Sequence, residues 1–173
     1  MMQDAGQGAA KDPEGMTGPK GDLPPADGRM QGTGTMSYSN GDRYEGEWYN
    51  GKRWGRGVLT YSNGDRYEGE FCRDQRNYKG TCFYANRDVY EGEWMDDERH
   101  GRGRYTMIDG DKYVGQFVRD RMDGEGTRVH ASGDKYRGQF KDGERHGKGT
   151  CIYADGARYE GKWRDGTRSG FGV

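Results

Sequence analysis

Large aromatic residues recur along the chain every 23 residues, and charged residues alternate with them. The tyrosines that begin the units are Tyr44, Tyr67, Tyr90, Tyr113, Tyr136 and Tyr159. A glycine follows two positions after each tyrosine, and a tryptophan or phenylalanine follows four positions after it. Alternation with a period of two places the rings on one face of a β-strand and the charges on the other. The pattern therefore predicts a repeat protein built from strands.

Glycines mark the second half of each unit and the turns. A second glycine pair, Gly55 and Gly57 in the first complete unit, follows the aromatic positions. An interior glycine costs a helix about 1 kcal/mol, so this density excludes helices. Dipeptides such as Asn40-Gly41 stand just before five of the six tyrosine strands, and they suit the positive φ angles of a two-residue hairpin turn. We therefore expect one β-hairpin in each unit.

The ring-bearing face of such a sheet is expected to carry function. Glycine beside each ring leaves room for a neighbouring ring to lie over bare backbone, so we expect rings to pack along the sheet. A single-layer sheet has no second layer over this face, so we expect an aromatic stripe that stays partly open. Aromatic residues are enriched at binding hot spots. The predicted partner-binding groove consists of Tyr44, Trp48, Tyr67, Phe71, Tyr90, Trp94, Tyr113, Phe117, Arg128, His130, Tyr136, Phe140, Tyr159 and Trp163.

Arg128 and His130 belong to this set because they stand where other units have apolar residues on the same face. One interpretation is that they stack on Phe117 or Tyr136 and hold an acidic group of a bound segment. The other is that Arg128 only lays its stem over the rings and keeps its head in water.

Composition and charge limit the function classes. Only 29% of residues are hydrophobic, but 13% are aromatic and regularly spaced, which favours an ordered chain over a disordered one. The formal net charge of −1 gives no field that would attract nucleic acid, so no nucleic-acid partner is expected. No run of about 18 apolar residues and no signal peptide is recognisable, so we expect a soluble, cytoplasmic protein.

Catalytic and metal-binding residues are not expected, and neither is a cofactor. His100 and His146 share one repeat position two units apart, roughly 19 Å at the usual strand spacing, too far to share a metal. Cys82 and Cys151 are expected to be small core residues, and Cys72 a surface thiol on the opposite face; no disulfide is plausible among them.

The unit resembles the MORN repeat (membrane occupation and recognition nexus), whose pattern is roughly Tyr-Glu-Gly-Glu-Trp-x-x-Gly-x-x-His-Gly-x-Gly. Residues 44–57 and 136–149 match it almost position for position, and the resemblance covers about residues 32–173. Five positions depart from the glycines of the pattern: Asp74, Tyr78, Arg87, Asp97 and Asp120. We expect distorted or widened turns there.

The resemblance implies an all-β fold: an elongated, twisted, single-layer antiparallel meander of hairpins with an aromatic groove. It also implies a non-catalytic scaffold that binds other proteins, including a second copy of itself. The leading interpretation is a structural component of a microtubule-based assembly of the cytoskeleton, such as a radial spoke or related complex in the axoneme of a cilium or flagellum. The alternatives are a module that targets membranes or phosphoinositides, which the neutral charge disfavours, and the MORN portion of a larger enzyme.

Composition also suggests the boundaries. Residues 1–28 contain all four prolines and no aromatic residue, so we expect a flexible N-terminal tail; the alternative is a cap over the first strand. Residues 29–173 form the repeat array, with a half repeat over 29–43 and an incomplete last repeat from 159. The last strand would leave an open edge, which we expect another protein, a second copy, or missing sequence to cover.

Overall fold

The computed structural model describes residues 29–173, which form one antiparallel β-sheet of thirteen strands. Every strand pairs with the strand that follows it in the sequence. The strands are β1 (Gly32–Ser37), β2 (Arg43–Tyr49), β3 (Lys52–Thr60), β4 (Arg66–Cys72), β5 (Gln75–Phe83), β6 (Val89–Met95), β7 (Glu98–Thr106), β8 (Lys112–Val118), β9 (Arg121–Val129), β10 (Lys135–Lys141), β11 (Glu144–Ile152), β12 (Arg158–Arg164) and β13 (Thr167–Gly172). The predicted all-β, single-layer meander is confirmed. The predicted tail lies outside the described residues. No helix within residues 29–173 is long and apolar enough to span a membrane.

The turn that joins β2 to β3, and its counterpart in every later unit, contains two residues. Asn50 and Gly51 have φ angles of 51° and 74°, and Tyr49 pairs with Lys52 across the turn. Positive φ at both central residues is typical of a type I′ turn, which matches the twist of the strands. The corresponding residues Asp96 and Asp97 have φ angles of 50° and 69°. The expectation of widened turns is therefore wrong at this position, because aspartate adopts the same left-handed conformation that glycine does.

The turn at the other end of each unit is longer than predicted. Tyr38 accepts a hydrogen bond from the amide of Gly41 (3.0 Å) and donates its own amide to Asp42 O (2.9 Å). The loop thus contains three residues, with glycine in the left-handed conformation (φ 91°) at its last position. The Asn40 side chain accepts the amide of Asp42 (3.0 Å), which stabilises this longer turn. The predicted two-residue turn at Asn40-Gly41 is therefore wrong, although the predicted hairpins are correct.

Each hairpin from β2 to β13 contains a β-bulge that the tyrosine completes. The register shifts between Gly46 and Trp48 in the first hairpin, opposite Gly55, which has a φ of 60°. The hydroxyl of Tyr44 donates to the carbonyl of Glu47 (2.9 Å), and the Glu47 carboxylate accepts the amide of Arg56 (2.7 Å). These two bonds satisfy backbone groups that a bulge removes from the ladder. The unit therefore requires a hydroxyl at the end of its first ring.

The core is a single zigzag row of rings on one face of the sheet. Each repeat tyrosine lies edge-to-face against the Trp or Phe of its own strand and, up to Tyr136, against that of the next unit, at centroid distances of 5.0–5.3 Å. The tyrosine rings also cover the glycine pairs, since a Cβ atom at Gly46 or Gly57 would clash with Tyr44. The predicted packing of rings over glycine, between repeats, is confirmed.

The three cysteines are reduced and buried. Cys82 and Cys151 lie in the core, as predicted. Cys72 is only 7% exposed, so the prediction of a surface thiol is wrong. It ends β4 on the face opposite the ring row, the face on which Tyr49 and Trp54 meet edge-to-face at 5.6 Å. Alternation along a strand assigns a residue to a face but does not show whether that face is covered.

Candidate functional site

The predicted aromatic stripe is closed rather than open. Its twelve rings are between 0% and 9% exposed. The residues are Tyr44, Trp48, Tyr67, Phe71, Tyr90, Trp94, Tyr113, Phe117, Tyr136, Phe140, Tyr159 and Trp163. The expectation of a partly open stripe is therefore wrong, because the rings interlock so closely that they cover one another.

A layer of arginines closes the same face further. An arginine stands nine residues after each repeat tyrosine, except in the fourth unit, where Met122 takes its place. The guanidinium of Arg76 lies 4.3 Å from the ring centroid of Trp94, and Arg145 lies at the same distance from Trp163. Stacked guanidinium groups gain from the negative face of the ring. Sequence reasoning missed this layer, although its regular spacing was visible.

The arginines are themselves held by the next unit. The amide and Nε of Arg76 donate to the Asp97 carboxylate (2.9 and 3.0 Å), and Nη2 donates to the Asp97 carbonyl (2.6 Å). Arg99 makes the same three bonds to Asp120. Arg53 makes two of them to Asp74, from its amide and from Nη2. The aspartates that replace turn glycines thus connect consecutive repeats.

Arg128 and His130 meet one carboxylate inside the sheet. Arg128 Nη2 lies 2.8 Å and His130 Nδ1 lies 2.9 Å from Asp111 Oδ2. Burial acts to raise the pKa of Asp111, but bonds from the Ala131 amide and Arg128, with the charge of His130, lower it below its usual range. Both sequence-based interpretations are wrong, since neither side chain stacks on Phe117 or Tyr136 and the arginine head is not directed only at water. Asp111 therefore occupies one nitrogen of each of the two side chains.

The open groove of the molecule lies on the opposite, charged face. Its main part has a volume of about 1700 Å³ and extends from Thr33 in β1 to Arg137 in β10. A smaller part of about 640 Å³ continues from Glu125 to Phe171 in β13. The backbone of the glycine pairs forms the floor, and glutamate, arginine, lysine, threonine and valine side chains line it. This surface, which we call the charged groove, was not predicted as a site.

The histidines and cysteines are spread along the array. Between residues 29 and 173, no group of three or more His, Cys, Asp and Glu side chains is arranged to hold a metal ion. His100 and His146 lie in β7 and β11, four strands apart.

The chain matches solved structures at low sequence identity. The TCP domain of Drosophila melanogaster SAS-4, in complex with a proline-rich motif of Ana2, is 15% identical; the match covers 85% of each chain with a TM-score of 0.50. The TCP10 domain of Danio rerio CPAP, in complex with a peptide of STIL, is 13% identical; the match covers 75% of this chain and 64% of that one, with a TM-score of 0.33. The first likeness concerns the fold alone. No curated protein sequence matches significantly.

The MORN repeat family model matches seven consecutive segments of the chain. They are residues 26–43, 44–66, 67–89, 90–112, 113–135, 136–158 and 159–173. Each complete segment starts at a repeat tyrosine and spans the 23 residues of one hairpin and its connections. Proteins of this kind are generally repeat modules without catalysis. With the bulge tyrosine, the ring zigzag and the glycine pairs in place, the chain belongs to the MORN repeat family.

Proposed function

We propose that the chain is a non-catalytic scaffold that holds an extended segment of a partner protein in the charged groove. The observation that carries the proposal is the groove itself, which crosses ten neighbouring strands without interruption. Its side chains are accessible; Val114, for example, is 51% exposed. On the other face of residues 29–173, the rings are covered by one another and by arginines.

The mode of binding follows from the pairing of the sheet. The strands between β1 and β13 are hydrogen-bonded on both sides, so a segment in the groove cannot join them as an additional strand. Recognition must use the side chains that rise from the floor. The SAS-4 domain of similar fold is in complex with a proline-rich motif, which is an analogy at the level of the fold.

We extend the proposal to the place of action: a cytoplasmic, microtubule-based assembly such as the axoneme of a cilium or flagellum. The support is the resemblance of the repeats to those of cytoskeletal scaffolds. A fluorescently tagged chain should co-localise with axonemal microtubules and remain with them after detergent extraction. Release by detergent, together with binding to phosphoinositide vesicles, would favour the membrane alternative instead.

Blocking the groove tests the proposed binding mode. Val114→Trp should fill the middle of the groove and abolish the capture of proteins that the wild-type chain retains in pull-downs. Ile108→Ser, at an exposed turn residue outside the groove, is the matched control and should leave capture intact. Undiminished capture by Val114→Trp would refute binding in the groove. Alanine at Trp94 and Phe117 is less suitable, because both rings are buried and their loss affects folding.

A further inference from the structure

Facing residues form a regular row across the floor of the charged groove; some pairs carry two charges, and others, such as Arg102 with Gln116, carry one. One residue of each pair stands twelve positions after a repeat tyrosine. The residue that faces it on the neighbouring strand stands three positions after the next repeat tyrosine. In the first half of the array the paired charges are opposite: Arg56 with Glu70, and Lys79 with Glu93. Opposite charges at facing positions favour a sheet, so these two pairs are compatible with the fold.

The last such pair breaks the rule. Lys148 in β11 stands directly opposite Lys162 in β12. Like charges at facing positions destabilise an antiparallel pair, so this arrangement is unfavourable for the sheet alone.

Basic side chains outnumber carboxylates in this part of the groove, where Arg137, Lys148 and Lys162 lie with Glu125 and Glu160. Among residues 29–173, no ion pair engages Lys148, Lys162 or the nearby Arg137, and all three side chains are exposed. Glu160, on the same strand as Lys162, is already paired with Arg158. The three basic side chains all line the smaller part of the groove.

An exposed aromatic residue lies in the same place. Phe171 occupies the position where earlier repeats carry Arg56, Lys79 or Lys148, and it lines the smaller part of the groove with its ring fully exposed. The ring provides apolar contact next to the charges, and aromatic residues are enriched at protein-binding sites.

We infer that the groove over repeats five and six binds an acidic segment of a protein partner. Carboxylates of the segment lie over Lys148, Lys162 and Arg137, and an apolar side chain beside them packs on Phe171. The inference rests on the proposed function. It also orients the bound segment along the groove, because the acidic part of the segment lies at the β13 end. A flat lipid surface does not fit into a groove. A nucleic acid does not match either, because its phosphate backbone is continuous, whereas Glu125 interrupts the three cations.

A labelled peptide tests this assignment. The probe is a fluorescent peptide of about twelve residues, roughly 40 Å when extended, in which glutamates alternate with serines around one leucine. Its affinity, measured by polarisation, should fall about tenfold for the Lys148→Gln/Lys162→Gln variant and decline with added salt. The same peptide with glutamine for glutamate should bind as weakly to the wild-type chain. Lys79→Gln is the matched control, because Lys79 has the same repeat position but faces Glu93; it should change affinity less than twofold.

A stability measurement separates recognition from damage to the fold. Lys148→Glu turns the like-charged pair into an opposite one, so its Tm should rise while its affinity for the acidic peptide falls. Equal affinity of the wild-type chain and the double variant, or equal affinity for the two peptides, would overturn the inference. Binding to phosphatidylserine vesicles in place of the peptide would overturn it too. Partner capture that is sensitive to Val114→Trp but not to the lysine changes would leave the proposed function intact and remove only this inference.

Discussion

Single residues explain why the unit requires tyrosine and glycine. Each repeat tyrosine donates its hydroxyl to the carbonyl of the third residue after it, at 2.8–3.1 Å. Phenylalanine would leave this carbonyl of the bulge without that partner, which costs about 1–3 kcal/mol when the group is buried. Burial raises the pKa of Tyr136 to about 12, so its hydroxyl remains a donor at physiological pH. The ring needs bare backbone beneath it, which only glycine provides.

Replacing a glycine under a ring should therefore be costly. A Cβ atom at Gly115 would lie 2.5 Å from the Tyr113 hydroxyl and 2.6 Å from the Cα of Gly126. We expect Gly115→Val to lower the free energy of unfolding by about 3 kcal/mol, measured by urea denaturation, because the ring and the facing strand must both move. Val114→Thr, at the exposed neighbour, should change it by less than about 0.5 kcal/mol. Similar losses for both variants would contradict the assignment of the two faces.

At the scale of the hairpin, aspartates at both turns join consecutive units. Asp97 accepts from Arg76 of the preceding hairpin, and Asp88 accepts the amide of Ile108 in the following one (2.9 Å). Equivalent aspartates at the longer turns bind the amides of Ser62, Ala85, Ala131 and Ala154 at 2.8–2.9 Å. A hairpin alone is marginally stable, so these bonds and the shared rings make the array cooperative.

The contribution of the turn aspartates to stability can be measured by replacing one of them with the glycine of the family pattern. Glycine relieves the left-handed strain at position 97, but it also removes the carboxylate that holds the half-buried Arg76. We expect Asp97→Gly to be destabilising by about 1–2 kcal/mol, because bonds to a charged group outweigh the conformational gain. Asp97→Asn should lose less, since its amide oxygen still accepts a hydrogen bond. A more stable Asp97→Gly variant, judged by Tm, would show that the Arg76 bonds contribute little.

Stability should also depend on acid pH. A hydrogen bond from the Tyr105 hydroxyl is the main cause that lowers the pKa of Asp88. A hydrogen bond from the Ser62 amide is the main cause that lowers the pKa of Asp42. A carboxyl whose pKa is lower in the folded state stabilises the protein above its unfolded pKa of about 3.9, and this contribution disappears as pH falls through the folded value. We expect Tm to decrease from pH 6 to pH 3. Asp88→Asn should have a lower Tm than the wild-type chain at pH 6, and its Tm should decrease less between pH 6 and pH 3. Parallel curves of Tm against pH for the two chains would exclude Asp88 as a contributor.

At the scale of the whole molecule, the sheet is a linear array. Every strand pairs only with its neighbours in sequence, so each repeat interacts with the repeat before it and the repeat after it. Stability of such arrays is approximately a sum of repeat and interface contributions. The same order makes the charged groove long and continuous, because each repeat adds one glycine-floored segment to it.

The linear order predicts the shape in solution. Thirteen strands about 4.8 Å apart extend for about 60 Å. Small-angle scattering of the full chain should give an elongated distance distribution and a radius of gyration clearly above the about 16 Å expected for a compact chain of this length. A symmetric distribution with the compact value would be incompatible with the extended sheet.

The sequence by itself determined the architecture. The 23-residue period, the alternation at Tyr44, Glu45 and Gly46, and the regular glycine pairs were enough for the hairpin, its two faces and the packing of rings over glycine. These features depend on local conformation and on one repeated interaction, the packing of a ring over glycine. The sequence of every unit therefore shows them again. Turn length was less accessible: Asn40-Gly41 suits two kinds of turn, and the bond between Tyr38 and Asp42 decides between them.

Only the tertiary structure decided which face is open. Alternation shows on which side of a strand a ring lies, but not whether Arg76 from another strand covers it, or whether Asp111 takes Arg128 and His130. The charged groove and the facing lysines, Lys148 and Lys162, likewise depend on register between hairpins. Burial and charge pairing are set by neighbours about twenty residues away in sequence, and those neighbours are known only once the strands are paired.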